Sequence, residues 1–295
     1  MQEKVLSSKK NGMAMMILFI LLYAAAAGLT AIGSMFFLVP AMVIGIIWLS
    51  LGWIPFLGLR VLKPQEALVL TLFGKYVGTL KDDGFYWVNP FCTAVNPAAK
   101  TKLNQSGDVD GGAAAKSVLT LATGTTASSN STYVNKKISL KIMTLNNNRQ
   151  KINDCLGNPI EIGIAVMWRV TDTAKAVFNV DNYKEYLSLQ CDSALRNIVR
   201  IYPYDVAPNV DTTGDGVADE GSLRGSSEIV AGRIRDEIQQ KVAEAGLEII
   251  EARITYLAYA PEIAAVMLQR QQASAIIDAR KMIVDGAVGM VEMAL

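Results

Sequence analysis

The sequence predicts an α+β protein held in a membrane by an N-terminal apolar hairpin. Three observations carry this. A run from Gly12 to Leu59 contains no Asp, Glu, Lys or Arg. Further on, apolar residues alternate along 160–170 and 250–258, around two segments of helical period. Finally, Pro261 opens a long Ala-rich segment with a three-four apolar stripe.

A bilayer core takes about 20 apolar residues per helix. The charge-free run is more than twice that, so two helices fit where one does not. Gly28, Gly33, Ser34 and Pro40 lie where a turn between them would fall. The spans are expected over Met13–Ile32 and Phe36–Ile54, with a re-entrant hairpin as the competing arrangement. Lys4, Lys9 and Lys10 precede the run, and Arg60 and Lys63 follow it. Basic residues at both ends favour termini and soluble domains on the cytoplasmic side. Residues 1–12 read as a cytoplasmic tail and 13–59 as the anchor. Trp53, Phe56 and Arg60 follow the second span and suit the membrane interface. Phe85, Tyr86 and Trp87 suit either that interface or a local core.

Beyond the anchor, composition removes several classes of function. Net charge is +1, which leaves no basic footprint for nucleic acid. The chain has no histidine, so His-based acid/base catalysis, His-activated nucleophiles and His metal ligation are absent. Cys92, Cys155 and Cys191 are far apart and odd in number, and read as reduced thiols outside any zinc or disulfide pattern. No cofactor is implied.

Pro64 opens a meander, with strands over Ala67–Phe73, Tyr76–Leu80 and Phe85–Val88 separated by Gly74-Lys75 and Asp82-Asp83-Gly84. Residues 98–134 are rich in Gly, Ala, Ser, Thr and Asn and read as a long insertion. A strand is expected from Lys136 to Ile142 and a short edge over Lys151–Asp154. The strongest strand runs from Ile160 to Val170, and Asp172 caps a short helix over Thr173–Phe178. Helices follow over Asn182–Ile201 and Ser226–Ala245, with Gly246 as C-terminal cap. Leu247–Ala260 returns as a strand.

From Pro261 the pattern is helical to residue 295 without a stop signal. Ile263, Val266, Ala273, Ile277, Val284, Ala287 and Val291 form a stripe interrupted by Arg270 and Arg280. A helix with no domain left to cover seeks the same helix of a neighbouring subunit. Packing on its own domain is the alternative.

One local motif suggests a metal. Asp211, Asp215 and Asp219 stand at positions 1, 5 and 9 of a calcium-type loop, with Gly216 at position 6 and Thr213 at position 3. Position 12 is Ser222, so the bidentate glutamate is missing, with Glu220 two residues short. Ca²⁺ held by Asp211, Thr213, Asp215 and Asp219 competes with an acidic solvated loop.

The parts and their order resemble the SPFH (Band 7) family, the group of stomatin, prohibitin, flotillin and the bacterial HflK/C proteins. The matching segments are VLKPQEALVLTLFGKYVGTLKDDGFYWVNP (Val61–Pro90), NPIEIGIAVMWRVTDTAKAVFNVDNY (Asn158–Tyr183), Ala194–Tyr204 and IIEARITYLAYAPEIAAVMLQRQQ (Ile249–Gln272). The resemblance implies a β-rich SPFH1 unit over 60–170, an α+β SPFH2 unit over 171–260, and an oligomerising coiled-coil-like helix over 261–295. It also implies a non-enzymatic scaffold, a homo-oligomeric ring or cage that organises a membrane microdomain and encloses partners such as membrane proteases. Two departures from the family pattern are the insertions at 98–134 and about 209–225. The alternative function is a calcium-dependent, membrane-tethered binding module of low oligomeric order.

Overall fold

In the computed structural model the chain is mixed α and β, and residues 3–6, 11–35, 39–101, 103, 135–147, 149–205 and 222–294 are described. Helix α1 covers Gly12–Met35 and α2 covers Val39–Leu51. A 3₁₀ turn over Ile54–Gly58 leads into β1 (Leu59–Leu62), followed by β2 (Glu66–Leu72), β3 (Lys75–Leu80), β4 (Gly84–Trp87) and β5 (Thr93–Ala94). Next come β6 (Ile138–Ser139), β7 (Met143–Asn146), β8 (Gln150–Asn153) and β9 (Pro159–Val170). The rest is α3 (Thr173–Phe178), α4 (Tyr183–Val199), α5 (Ser227–Val242), β10 (Leu247–Tyr259) and α6 (Pro261–Ala294).

Two compact units emerge. One holds residues 1–145, 167–190 and 239–250; the other holds 146–166, 191–238 and 251–295. The chain crosses between them within β7, β9, α4, α5 and β10.

In the first unit β1 pairs with β4, and β2 lies between β3 and β5, all antiparallel. Leu62, Leu68, Leu70, Leu80, Tyr86 and Cys92 make the core of this meander. The two-residue turn between β2 and β3 is Phe73-Gly74, with φ +48° and +84°. Such a primed turn matches the twist of its strands but asks for left-handed residues, usually Asn-Gly. A phenylalanine there is a steric outlier. For this reason β2 stops at Leu72, one residue short of the strand expected from the sequence.

The strand expected over 136–142 is interrupted. Only Ile138–Ser139 pairs with β2, the chain bends at Lys141, Ile142 is exposed, and pairing resumes at Met143. The first residues of the low-complexity stretch belong to the fold. Pro97–Lys100 form a 3₁₀ turn with Ala98 buried, and Thr101 is tied to the α4 region by Asn182 Nδ2 (2.6 Å). Asn96 Nδ2 donates to Lys137 O at 3.0 Å, so the chain on either side of residues 104–134 is joined directly. Closing a loop there costs little more as it lengthens, which is how the meander carries so long an insertion. Residues 104–134 and 206–221 lie outside the described residues.

Strand β9 is the centre of the remaining sheet, ordered β10-β9-β7, with β8 also paired to β9. Ile160, Ile162, Ile164, Val166, Trp168 and Val170 are all buried, as the alternation predicts. Asp172 Oδ1 accepts the Lys175 N–H at 2.9 Å and caps α3, and Gly246 caps the turn after α5 with φ +66°. Leu187, Cys191, Ala194, Leu195 and Ile198 of α4 are buried, as are Ile234, Ile238 and Val242 of α5.

One ion pair ties β2 to the strand that returns after residues 104–134. Lys137 Nζ lies 2.8 Å from Glu66 Oε2, and the pair is partly exposed. Burial opposes the charged form of Glu66, but the Lys137 hydrogen bond, the Lys63 N–H and both lysine charges outweigh it. The carboxyl therefore sits below its ordinary value of 4.5. A lowered folded pKa stabilises above the unfolded value, and that stabilisation fades as pH falls through the folded one. Acid titration from pH 6 to 3, followed by unfolding, is expected to show a loss of about 1 kcal/mol or less from this pair. Glu66→Gln is expected to remove that part of the acid dependence.

The cysteines give a second check. Cys191 is buried and its thiol is pushed up to about 12, first by burial and then by Asp192. Cys92 is also buried, and Cys155 is exposed. A thiol-reactive label is expected to modify Cys155 alone in the folded protein and all three after unfolding, as read by intact mass.

Candidate functional site: the anchor junction and the projecting helix

The anchor is an antiparallel helical hairpin. Helix α1, at 24 residues, is about 36 Å long by helical rise. It is the one helix among the described residues with the length and apolarity to cross a bilayer. The described part of helix α2 has 13 residues, about 20 Å. After Leu51 the chain turns at Gly52 and continues as the 3₁₀ turn over Ile54–Gly58.

Small residues let the two helices approach. A Cβ on Gly45 would lie 2.4 Å from Thr30 Cγ2. Hydroxyls in the hairpin find backbone acceptors: Tyr23 donates to Leu49 O at 2.6 Å, Thr30 to Ala27 O at 2.7 Å and Ser34 to Ala31 O at 2.8 Å. In hydrocarbon no water would satisfy them.

The hairpin meets the meander along β4. Phe19 of α1 stacks edge-on against Phe56 (5.6 Å) and tilts against Trp87 of β4 (5.9 Å). The Trp87 indole N–H donates to Pro55 O at 2.9 Å, and Val88 N donates to Gly58 O at 2.9 Å. A Cβ on Gly58 would lie 2.1 Å from Val88 O, so only glycine lets β4 come this close. At the other end of the hairpin Gly12 abuts the Phe85 backbone. Both ends of the hairpin therefore land on β4.

Of the residues expected at the interface, Trp53 is 56% exposed, Phe56 is half-buried under Phe19, and Arg60 is exposed. Trp53 and Phe56 line an open apolar groove with Ile20, Tyr23, Ala24 and Ala27. Trp87 does not point freely outward; it locks the hairpin to the sheet.

A second tie comes from the segment read as a tail. Lys4 O accepts from Thr79 N and Leu6 N donates to Thr79 O, each at 2.9 Å, so Val5 adds a parallel bridge to β3. Glu3 Oε1 accepts from Thr173 Oγ1 (2.5 Å) and Thr173 N (3.2 Å), while Oε2 pairs with Lys81 Nζ at 2.6 Å. Nothing in the sequence pattern of residues 1–12 signals this, because it depends on partners about 80 and 170 residues away.

The projecting helix is α6. Ile263 is half-buried near its start, whereas Val266, Ala273, Ile277, Val284, Ala287 and Val291 are exposed. At its base Gln271 Nε2 donates to Asp205 Oδ2 at 3.1 Å, and Lys151 pairs with Glu262. From residue 272 to 288 every position is exposed. The apolar residues also exceed one stripe, since Ile276, Met282 and Ile283 are exposed as well.

The candidate calcium residues Asp211, Thr213, Asp215 and Asp219 lie outside the described residues. Ser222, at position 12 of that motif, is buried, and its Oγ accepts the Gly225 N–H at 2.9 Å. That position serves the turn entering α5. Among the described residues no group of His, Cys, Asp and Glu is placed to hold a metal.

An apolar hairpin, an α+β body clamped to it and an exposed apolar helix define a membrane-attached domain with surface left for protein partners. The model of the SPFH domain / Band 7 family matches residues 60–283, and the chain belongs to that family. Its members are generally membrane-associated and scaffold-like, and generally non-enzymatic. No curated protein matches the chain.

The clamp is testable. Trp87→Ala is expected to cost about 2 kcal/mol, somewhat less than a fully buried tryptophan. Hydrogen exchange of the β1 and β4 amides in the detergent-solubilised chain is expected to quicken roughly 30-fold, since 1.4 kcal/mol is about tenfold. Exchange at β9 is expected to stay unchanged.

Proposed function

We propose that the protein is a non-enzymatic membrane scaffold. Many copies assemble through α6 into a homo-oligomeric ring or cage that organises a membrane microdomain and encloses or regulates membrane proteins such as proteases. The soluble domains occupy the cytoplasmic side, with basic residues at both ends of the hairpin.

The observation that carries the reading is α6: a 34-residue helix whose apolar stripe is exposed on the isolated chain. Such a face favours association. If one seam between neighbouring helices buries about 500 Å² of apolar surface, the gain is roughly 12 kcal/mol before association costs. Family membership supports the same direction.

Mass and shape of the detergent-extracted particle test it. A megadalton ring or cage by light scattering and electron-microscope class averages is the expected result. The double variant Ile277→Asp, Val284→Asp is expected to reduce the particle to one or a few chains while leaving the circular dichroism of the body in place. A parent chain that is monomeric at micromolar concentration overturns the assembly, and makes calcium titration of Asp211–Glu220 the next measurement.

A further inference from the structure

We infer that the Phe73-Gly74 turn and Phe91 form an aromatic wedge that enters the interfacial region of the bilayer beside the hairpin, a second membrane contact on the same body. Four observations on one compact unit converge on it.

The first is exposure. Phe73 is 87% exposed and Phe91 61% exposed, although the residues beside them, Leu72 and Cys92, pack in the meander core. The second is register. Thr71 pairs with Thr93 in antiparallel β2 and β5, and two further residues bring Phe73 level with Phe91. The two rings thus share one end of the sheet.

The third is place. Leu59 follows the anchor directly and pairs with Trp87, so β4 runs toward the anchor and ends at the Phe19–Phe56–Trp87 cluster. Phe91 comes four residues later, in a turn fixed by Asn89, whose Oδ1 accepts Phe91 N and whose O accepts Cys92 N. The turn is therefore continuous with the point where the hairpin joins the body. The fourth is chemistry. Residues 67–81 and 84–103 contain no Asp or Glu, while Lys75 beside Phe73 and Arg60 at the start of β1 are exposed. Exposed aromatics next to lysine and arginine suit a layer of apolar chain ends and anionic head groups.

The backbone agrees. A left-handed phenylalanine is a poor choice for a turn that only has to reverse the chain, where Asn would fit. At the tip of the turn the exposed ring is placed to meet hydrocarbon.

The inference rests on the hairpin being in the membrane and not on assembly through α6. The test uses the full chain in vesicles of mixed zwitterionic and anionic lipid. Phe73→Trp and Phe91→Trp are made singly, and Ile142→Trp serves as reference. Ile142 is exposed and follows β6, which pairs at the opposite end of β2. The parent's four tryptophans are subtracted as a difference spectrum. Added emission at 73 and 91 is expected to be blue-shifted and to lose at least half its intensity with lipids brominated high on the acyl chain. Emission at 142 is expected to stay water-like. Water-like emission at 73 and 91, quenched by aqueous acrylamide, overturns the wedge and leaves the scaffold reading standing. Blue-shifted emission that bromolipid leaves bright overturns it too, and assigns the turn to a protein contact.

Discussion

Two antiparallel apolar helices must deliver their ends close together, and the body below has to receive both. Strand β4 does so. Gly12 sits on the Phe85 backbone, Gly58 on the Val88 carbonyl, and Phe19 and Phe56 close on the Trp87 ring between them. The direction of the meander follows from this. Strand β1 must leave the anchor, β4 must run back to it, and the turns after β2 and β4 face the same way. A charged or bulky residue at Gly58 would separate hairpin and sheet, and with them the relation between membrane and body.

The junction is stiff because it is satisfied on both chemistries. Its rings bury apolar surface, while the indole N–H and the Val88 N–H each find a carbonyl in the Pro55–Gly58 turn. Leaving such groups unpaired at the edge of a bilayer costs several kcal/mol apiece. The Glu3 strap adds a tie outside the hairpin, through Thr173 and Lys81. Together they make the hairpin part of the fold rather than a tether.

Much of this was legible in the residues. Alternation gave β9 and the existence of β10, although in β10 Ile250 is exposed and Leu247 and Ile249 are buried, so the phase read over 250–258 does not hold at its start. Helical period gave α4 and α5, and Asp172 and Gly246 marked ends that are capped as their chemistry requires. The hairpin was visible as missing charge. Several features were not legible, for physical reasons. The Glu3 and Trp87 contacts depend on chain distance that periodicity does not see. The break at Lys141 looks like alternation because Leu140 and Ile142 keep the period, while only Ile138 is fully buried. Phe73 reads as the last apolar residue of a strand until its positive φ places it in the turn.

The exposure of α6 puts the remaining burden outside the single chain. From Ala273 to Val291 its apolar residues cover more than one seam, with Ile276, Met282 and Ile283 flanking the stripe. A two-helix contact would hide one side and leave the other in water. A closed ring, in which each helix has a neighbour on both sides, hides both with one repeated contact. The width of the apolar band on α6 thus leaves room for a neighbour on either side of the helix.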